Sequence, residues 1–211
     1  MQIILQPLKK KYTPEEYLAL EEKAEFRSEY HDGEIIPMTG GSINHNRITG
    51  NLYAYIKYQI RGNNKEAFAS DLRVWMNRYK RYVYPDVFVI QGTPTLHENR
   101  TDTITNPRLI IEVLSKSTQQ YDHTEKFRYY RSIPDFQEYL LINQYEISVE
   151  HYIKTGEKEW ILREYENMEE VIKLSSIDVE ITLNDIYEGV DFHLEQKAEE
   201  KAELMGEYEN E

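Results

Sequence analysis

Asp86 and Glu112 are acids in apolar surroundings. In "LIIEVL", strand alternation sends Leu109, Ile111 and Val113 to one face and Ile110, Glu112 and Leu114 to the other, so the glutamate is the one charge among six residues. In "YVYPDVFVI", Tyr84, Asp86, Phe88 and Ile90 share a face and Asp86 is its one charge. An ionised carboxylate in such a place costs several kcal/mol unless a cation, a proton or hydrogen-bond donors meet it. If the strands over 82–90 and 108–114 pair, the two carboxylates face each other, and they repel unless one is protonated or a cation lies between them.

Two facing carboxylates suit Mg²⁺, which accepts one or two of them together with waters and a substrate phosphate, and for which Mn²⁺ can substitute. The chain has no cysteine, which excludes disulfides, thiolate-held zinc and a cysteine nucleophile, so any metal must be held by oxygen or imidazole. A phosphodiester hydrolase uses such an ion to polarise the phosphate and activate a water, and places a lysine beside it. Lys116 has the right parity but lies about 13 Å beyond Glu112 along an extended chain. Lys126 is better placed, in the first turns of a helix that the capping-box pair Asp122 and Glu125 would open. The residues alone also allow ordinary structural pairs: Asp86 or Glu112 with Arg73 or Arg128, and Lys126 with Asp122 at i,i+4 spacing, the latter worth about 0.3 to 0.5 kcal/mol. His45, near a helix start in "SINHNRI", is a weaker candidate for substrate contact, and Lys116 another.

Pro85-Asp86 in "YPDVFVI", followed by Glu112 in "LIIEVLSKST", resembles the PD-(D/E)XK nuclease superfamily. The ordered run "YxxxDGEIIPM … H … PDVFVI … LIIEVLSKST … D … EKFRYY … IPDFQEYLLI" is more closely similar to the Uma-two family of restriction-endonuclease-like proteins, over roughly Tyr12 to Asp191. The resemblance implies a mixed sheet flanked by helices that cuts nucleic acid with Mg²⁺, with Asp86 and Glu112 as metal ligands. Glu34, in "DGEI", matches the family's additional acidic position. One departure concerns the superfamily lysine, expected two residues after the second acid, where this chain has Leu114. In the family that lysine has moved to the following helix, which corresponds to Lys126.

The elements that must position these residues can be read in outline. "TPEEYLALEEKAE" has a cap, a Pro at the first helical position and acids in the first turn, which predicts a helix. Two short strands then flank the hairpin turn Asp32-Gly33. Ile48, Leu52, Ile56 and Ile60 recur at helical spacing and predict an amphipathic helix over about 43–61. "AFASDLRVWM", "YVYPDVFVIQ" and "PRLIIEVL" read as three strands, with Pro85 marking a bulge, an edge or a bend. The Asp122 helix, further strands and a last helical turn in "TLNDIYEG" follow. The expected fold is α+β or mixed α/β, a restriction-endonuclease-like central mixed sheet flanked by helices, with an N-terminal helix and hairpin. Residues 1–193 form the nuclease-like domain, and 194–211 an acidic tail that is a frayed helix or disordered.

The formal charge of −13 opposes indiscriminate attraction to nucleic acid, and the body stays acidic without the tail. Contact with nucleic acid then needs a local basic face. "RVWMNRYKRYVY" offers one, interleaving Arg73, Arg78, Lys80 and Arg81 with Trp75, Tyr79 and Tyr82. The start "MQIILQPLKKKY" has neither signal-peptide order nor transmembrane length, which leads to the expectation of a cytoplasmic protein without membrane contact. DNA is the expected partner, with a homodimer left open. The rival functions are a silent nucleic-acid or protein-binding module on the same fold, and a hydrolase of small phosphate esters.

Overall fold

The computed structural model describes residues 10–98 and 100–194. Thr13 caps the first helix, α1 (Pro14–Glu21), in a reciprocal capping box with Glu16. The next two strands, β1 (Ser28–His31) and β2 (Glu34–Pro37), form the expected hairpin. Its turn residues Asp32 and Gly33 both have positive φ, 44° and 103°, which matches the twist of the flanking strands. Ser42 caps α2 (Ile43–Gln59), whose Ile48, Leu52 and Ile56 are fully buried.

The strands then part from the sequence expectation. "AFASDLRVWM" is two strands, β3 (Lys65–Ala69) and β4 (Arg73–Met76), in different sheets. Ser70 between them has φ of 49°, which breaks the extended run. "YVYPDVFVIQ" likewise divides into β5 (Arg81–Val83) and β6 (Val87–Gln91), parted at Pro85, which has no N–H for a ladder bond. β7 (Thr103–Ile104) and β8 (Pro107–Leu114) follow.

One continuous helical stretch covers 119–130: α3 (Gln119–Tyr121), a π-helical segment Asp122–Lys126, and α4 (Phe127–Tyr130). It starts before Asp122, so the expectation that Asp122 caps this helix is corrected. The remainder is β9 (Glu138–Asn143), β10 (Val149–Lys154), β11 (Trp160–Tyr165), β12 (Val171–Leu174), β13 (Val179–Thr182) and α5 (Leu183–Ile186), the expected last helical turn.

Among the described residues three sheets result, in the orders β2-β1-β5-β4-β7, β11-β10-β9-β8-β6-β3 and β12-β13. The larger is mixed, with β8–β9 parallel and β8–β6 antiparallel. This is the mixed α+β architecture expected, though two sheets rather than one carry the site. β8 lies between two cores. Leu109, Ile111 and Val113 pack with α2, and Ile110 and Leu114 pack with Phe88, Tyr130, Phe136 and Tyr139. Among the described residues no helix is long and apolar enough to cross a membrane. Of the expected tail, 195–211 lies outside the described residues.

Candidate active site at the β6–β8 edge

Glu112 projects from the middle of β8 and is buried. Tyr130 donates its hydroxyl to Glu112 Oε1 at 2.6 Å, and Lys126 Nζ stands 2.9 Å from the same oxygen. The cation meeting Glu112 is therefore Lys126, and neither Arg73 nor Arg128.

Lys126 is buried too, and its ammonium also stands 3.2 Å from Asp122 Oδ1 and 3.9 Å from Glu29 Oε1. Asp122, Lys126 and Tyr130 recur every fourth residue and all three are buried. In an α-helix that spacing drifts around the axis, whereas the π-helical segment holds more residues per turn and brings them nearer to single file. Tyr139 anchors the segment by donating to the Asp122 carbonyl at 3.2 Å. Burial alone would lower the Lys126 pKa, but Asp122 and Glu112 together hold it well above its ordinary value, so the ammonium stays charged.

Asp86 immediately precedes β6. Val87 stands opposite Ile111, so Asp86 adjoins Glu112 across the antiparallel pair. Its Oδ2 accepts the Val113 backbone N–H at 2.7 Å, and its Oδ1 lies 3.2 Å from His45 Nε2. His45 comes from the first turn of α2, where the Ser42 hydroxyl receives its backbone N–H. Burial lowers the His45 pKa, but the hydrogen bond and charge of Asp86 reverse this and leave it raised. The weak candidate from the sequence is thus in direct contact with the first acid.

The hairpin brings in a residue that sequence reasoning missed. Glu29 on β1 is buried; its Oε1 accepts Tyr84 N–H at 3.4 Å, and its Oε2 lies 2.8 Å from His31 Nε2. The Tyr121 hydroxyl is 3.2 Å from the same His31 nitrogen, and the two rings stack at 5.2 Å. Burial would raise the Glu29 pKa, but the Lys126 ammonium and His31 hold it below its ordinary value. Glu34, by contrast, is exposed on β2, paired in register with His31. The acid that the hairpin delivers to Lys126 is Glu29, which corrects the expectation for Glu34. The overlooked signal was parity: Glu29 and His31 share one face of β1 beside the buried Tyr30.

One more expectation is corrected by placement. Arg73 is buried and paired with Asp102, so it offers nothing to a nucleic-acid surface. Lys116 lies in the 115–118 turn, its backbone N–H donating to the Tyr145 hydroxyl and its ammonium 5.6 Å from that ring. The structure brings Asp86, Glu112, Lys126 and His45 together, while Arg78 and Lys80 are exposed and Arg81 half-buried elsewhere on β5 and the turn before it.

Charge is unbalanced at this centre. Glu29, Asp86, Glu112 and Asp122 gather about one lysine. Burial first, then the charges of Asp122 and Asp86, push the Glu112 pKa up to about 8 against the pull of Lys126. A divalent cation would relieve that excess. Among the described residues no three His, Asp or Glu side chains are grouped as a ready metal cage. Mg²⁺ does not require one, since one or two carboxylates with waters and substrate oxygens suffice, and Asp86 with Glu112 supplies that oxygen donor set. The residues present therefore fit the ion.

The chain is similar to known proteins over most of its length. The family model Uma2, described as "Putative restriction endonuclease", matches residues 14–184. The uncharacterized protein sll1609 of Synechocystis is 47% identical over 152 residues, 72% of this chain and 86% of that protein. A second uncharacterized Synechocystis protein, slr1290, is 35% identical over 182 residues, 86% of this chain and 94% of its own. A crystal structure from Anabaena variabilis, described as "a putative nuclease belonging to DUF820", shares the fold with a TM-score of 0.68, covering 83% of this chain and 97% of that one at 22% identity. The family match takes in the hairpin, α2, β6, β8 and the 119–130 helix, every element that feeds the acidic centre: this chain belongs to the Uma2 family.

Proposed function

We propose that the protein is a Mg²⁺-dependent endonuclease that hydrolyses phosphodiester bonds in DNA. The observation that carries the reading is the approach of the Lys126 ammonium to Glu112, beside Asp86 on the paired strand. Asp86 and Glu112 would hold the ion, which when bound polarises the phosphate and acidifies an attacking water. Lys126, kept protonated by its carboxylate neighbours, supplies positive charge where the phosphorane-like transition state gathers negative charge, or holds the water. His45 fixes the orientation of Asp86, and the Val113 N–H holds its other oxygen. Glu29 steadies Lys126 from the hairpin side.

The test is plasmid cleavage by the purified chain with Mg²⁺ or Mn²⁺, alongside Asp86→Ala and Glu112→Ala. Cutting by the wild type with loss in both variants supports the reading. Equal cutting by all three would mean a contaminant and end the assignment.

A second reading has one observation in its favour: Glu112 Oε1 is already engaged by both Tyr130 and Lys126. A module that binds without turnover would look the same. Titration calorimetry with Mg²⁺ and Mn²⁺ separates the two, because the catalytic reading requires metal binding that Asp86→Ala abolishes.

A further inference from the structure

The outer side of the helix that carries Lys126 differs in charge from the rest of this acidic chain. Arg128 and Arg131 are exposed there, three residues apart and therefore neighbours on the helix surface. Arg131 lies over the Phe127 ring at 4.7 Å, and Arg128 reaches the Tyr79 ring at 5.7 Å. Tyr79 belongs to the 3₁₀ turn Asn77–Tyr79 after β4, and the exposed Arg78 of that turn lies over the same ring at 5.5 Å. Tyr79 packs on Tyr129 at 4.7 Å, and Arg81 covers Tyr129 at 4.0 Å while donating to its hydroxyl at 2.9 Å. A continuous path thus runs Arg131, Arg128, Tyr79, Arg78, with Arg81 behind it.

Two features distinguish this path from an ordinary solvated face. Among the described residues Arg78, Arg81, Arg128 and Arg131 enter no salt bridge, although the whole chain carries a net charge of −13 and an acid is seldom far away. Glu125, one turn before Tyr129 on the same helix, accepts the Tyr129 hydroxyl instead. Lys80, which ends the Asn77–Tyr79 turn in the left-handed conformation, is left out of the path. Secondly, a guanidinium held over an aromatic ring can keep its N–H donors available and loses little freedom when they engage a phosphate.

We infer that Arg78, Arg128 and Arg131, ordered by Tyr79 and Phe127, form a track for the phosphate backbone of the nucleic acid, and that the 119–130 helix couples this track on its outer side to Lys126 on its inner side. The inference rests on the nuclease reading for its partner but assigns a separate surface. It extends the basic hairpin foreseen from the sequence onto the helix and replaces Arg73 with Arg128 and Arg131. Arginine contacts of this kind set affinity and its salt dependence without reading sequence.

The experiment measures binding of a fluorescein-labelled DNA duplex to the full chain by anisotropy, in EDTA so that no cutting occurs, across a series of salt concentrations. The triple variant Arg78→Gln, Arg128→Gln, Arg131→Gln is compared with the wild type and with Lys57→Gln, Arg61→Gln, Lys173→Gln, which makes the same change in net charge on α2, the turn after it and β12. Each phosphate no longer neutralised flattens the slope of log K against log salt by roughly 0.9, so the track variant should lose between two and three units and the control variant well under one. Equal slopes for both variants would reduce the effect to net charge and overturn the track, as would a wild type that fails to bind the duplex at low salt. Thermal melting of all three proteins checks folding. Because cleavage is never read here, failure of the nuclease reading shows in the plasmid assay, and failure of the track shows in the binding series.

Discussion

Lys126 Nζ and Glu112 Oε1 stand 2.9 Å apart although the lysine comes from the π-helical segment and the glutamate from the middle of β8. Both side chains are less than a tenth exposed, so Lys126 is the main compensation for the lost hydration of Glu112, as Asp122 and Glu112 together are for that of Lys126. Lys126→Met leaves Glu112 and Asp122 without their cation, and the expected cost is about 3 to 5 kcal/mol of folding stability. Adding Glu112→Gln to that variant should recover only part, because the carboxylate that Lys126 met on β8 is then gone while Asp122 still lacks its cation. Urea denaturation of the two single variants and the double variant reads the coupling; simple additivity would mean that the pairing contributes little in solution.

Glu29 and Glu34 lie on opposite sides of the Asp32-Gly33 turn and should behave differently when removed. Glu29→Ala uncovers His31 and Tyr84 N–H and takes one carboxylate away from Lys126, so plasmid cutting should fall at least tenfold. Glu34→Ala removes an exposed side chain and should leave stability within about 0.5 kcal/mol. Its cutting rate should stay within about twofold of wild type. Parallel rate measurements on the two variants decide the matter, and a larger loss at Glu34 would reverse the assignment of the hairpin acid.

How far the sequence revealed this centre depends on the distance over which each relation acts. Asp86 and Glu112 were legible because strand parity is local and a lone acid on an apolar face stands out. Lys126 was legible because the helix carrying it follows β8 directly. Glu29 was not, since β1 reaches the site only through its pairing with β5, Tyr30 opposite Tyr82, and no local pattern states which distant strands will meet. Arg73 read as an available cation because its partner, Asp102, comes from the loop that leads into β7, which pairs in parallel with β4. Asp122 has the composition of a cap, and what moved it inside the helix was the extra turn over 119–121, whose residues carry no start signal of their own.

The turn that joins β1 to β2 should be sensitive to a single methyl group. Gly33 has φ of 103°, and a Cβ there would lie 3.2 Å from the Lys11 side chain. Gly33→Ala is therefore strained by backbone first and by crowding second, with an expected loss of about 1 to 2 kcal/mol. Gly50, in α2 with no atom beyond its chain neighbours and the local helix backbone within 4 Å of where a methyl would sit, is the internal comparison: Gly50→Ala should stabilise by roughly 0.5 to 1 kcal/mol. Thermal melts of the two alanine variants should move in opposite directions.

A second buried acid gives a pH signature away from the candidate active site. Glu138 on β9 accepts Ser175 N–H at 2.8 Å, Ser176 N–H at 3.0 Å and the Ser176 hydroxyl at 2.6 Å, with His151 Nε2 at 3.3 Å, and so ties the β12–β13 turn to the large sheet. Burial would raise its pKa, but the His151 and Ser176 interactions outweigh that and hold it below the ordinary 4.5. A depressed carboxylate binds its proton more readily in the unfolded chain, so its stabilisation is present above about pH 4.5 and is lost as pH falls through the lower folded-state value. Glu138→Gln should cost about 2 kcal/mol at pH 7, where the charge-assisted bonds are intact. The gap between wild type and variant should narrow below pH 4, because protonation then strips the wild type of the same advantage. Urea midpoints at pH 7 and at pH 3.5 measure this, and a gap of equal size at both would show that the carboxylate charge plays no part in holding the turn.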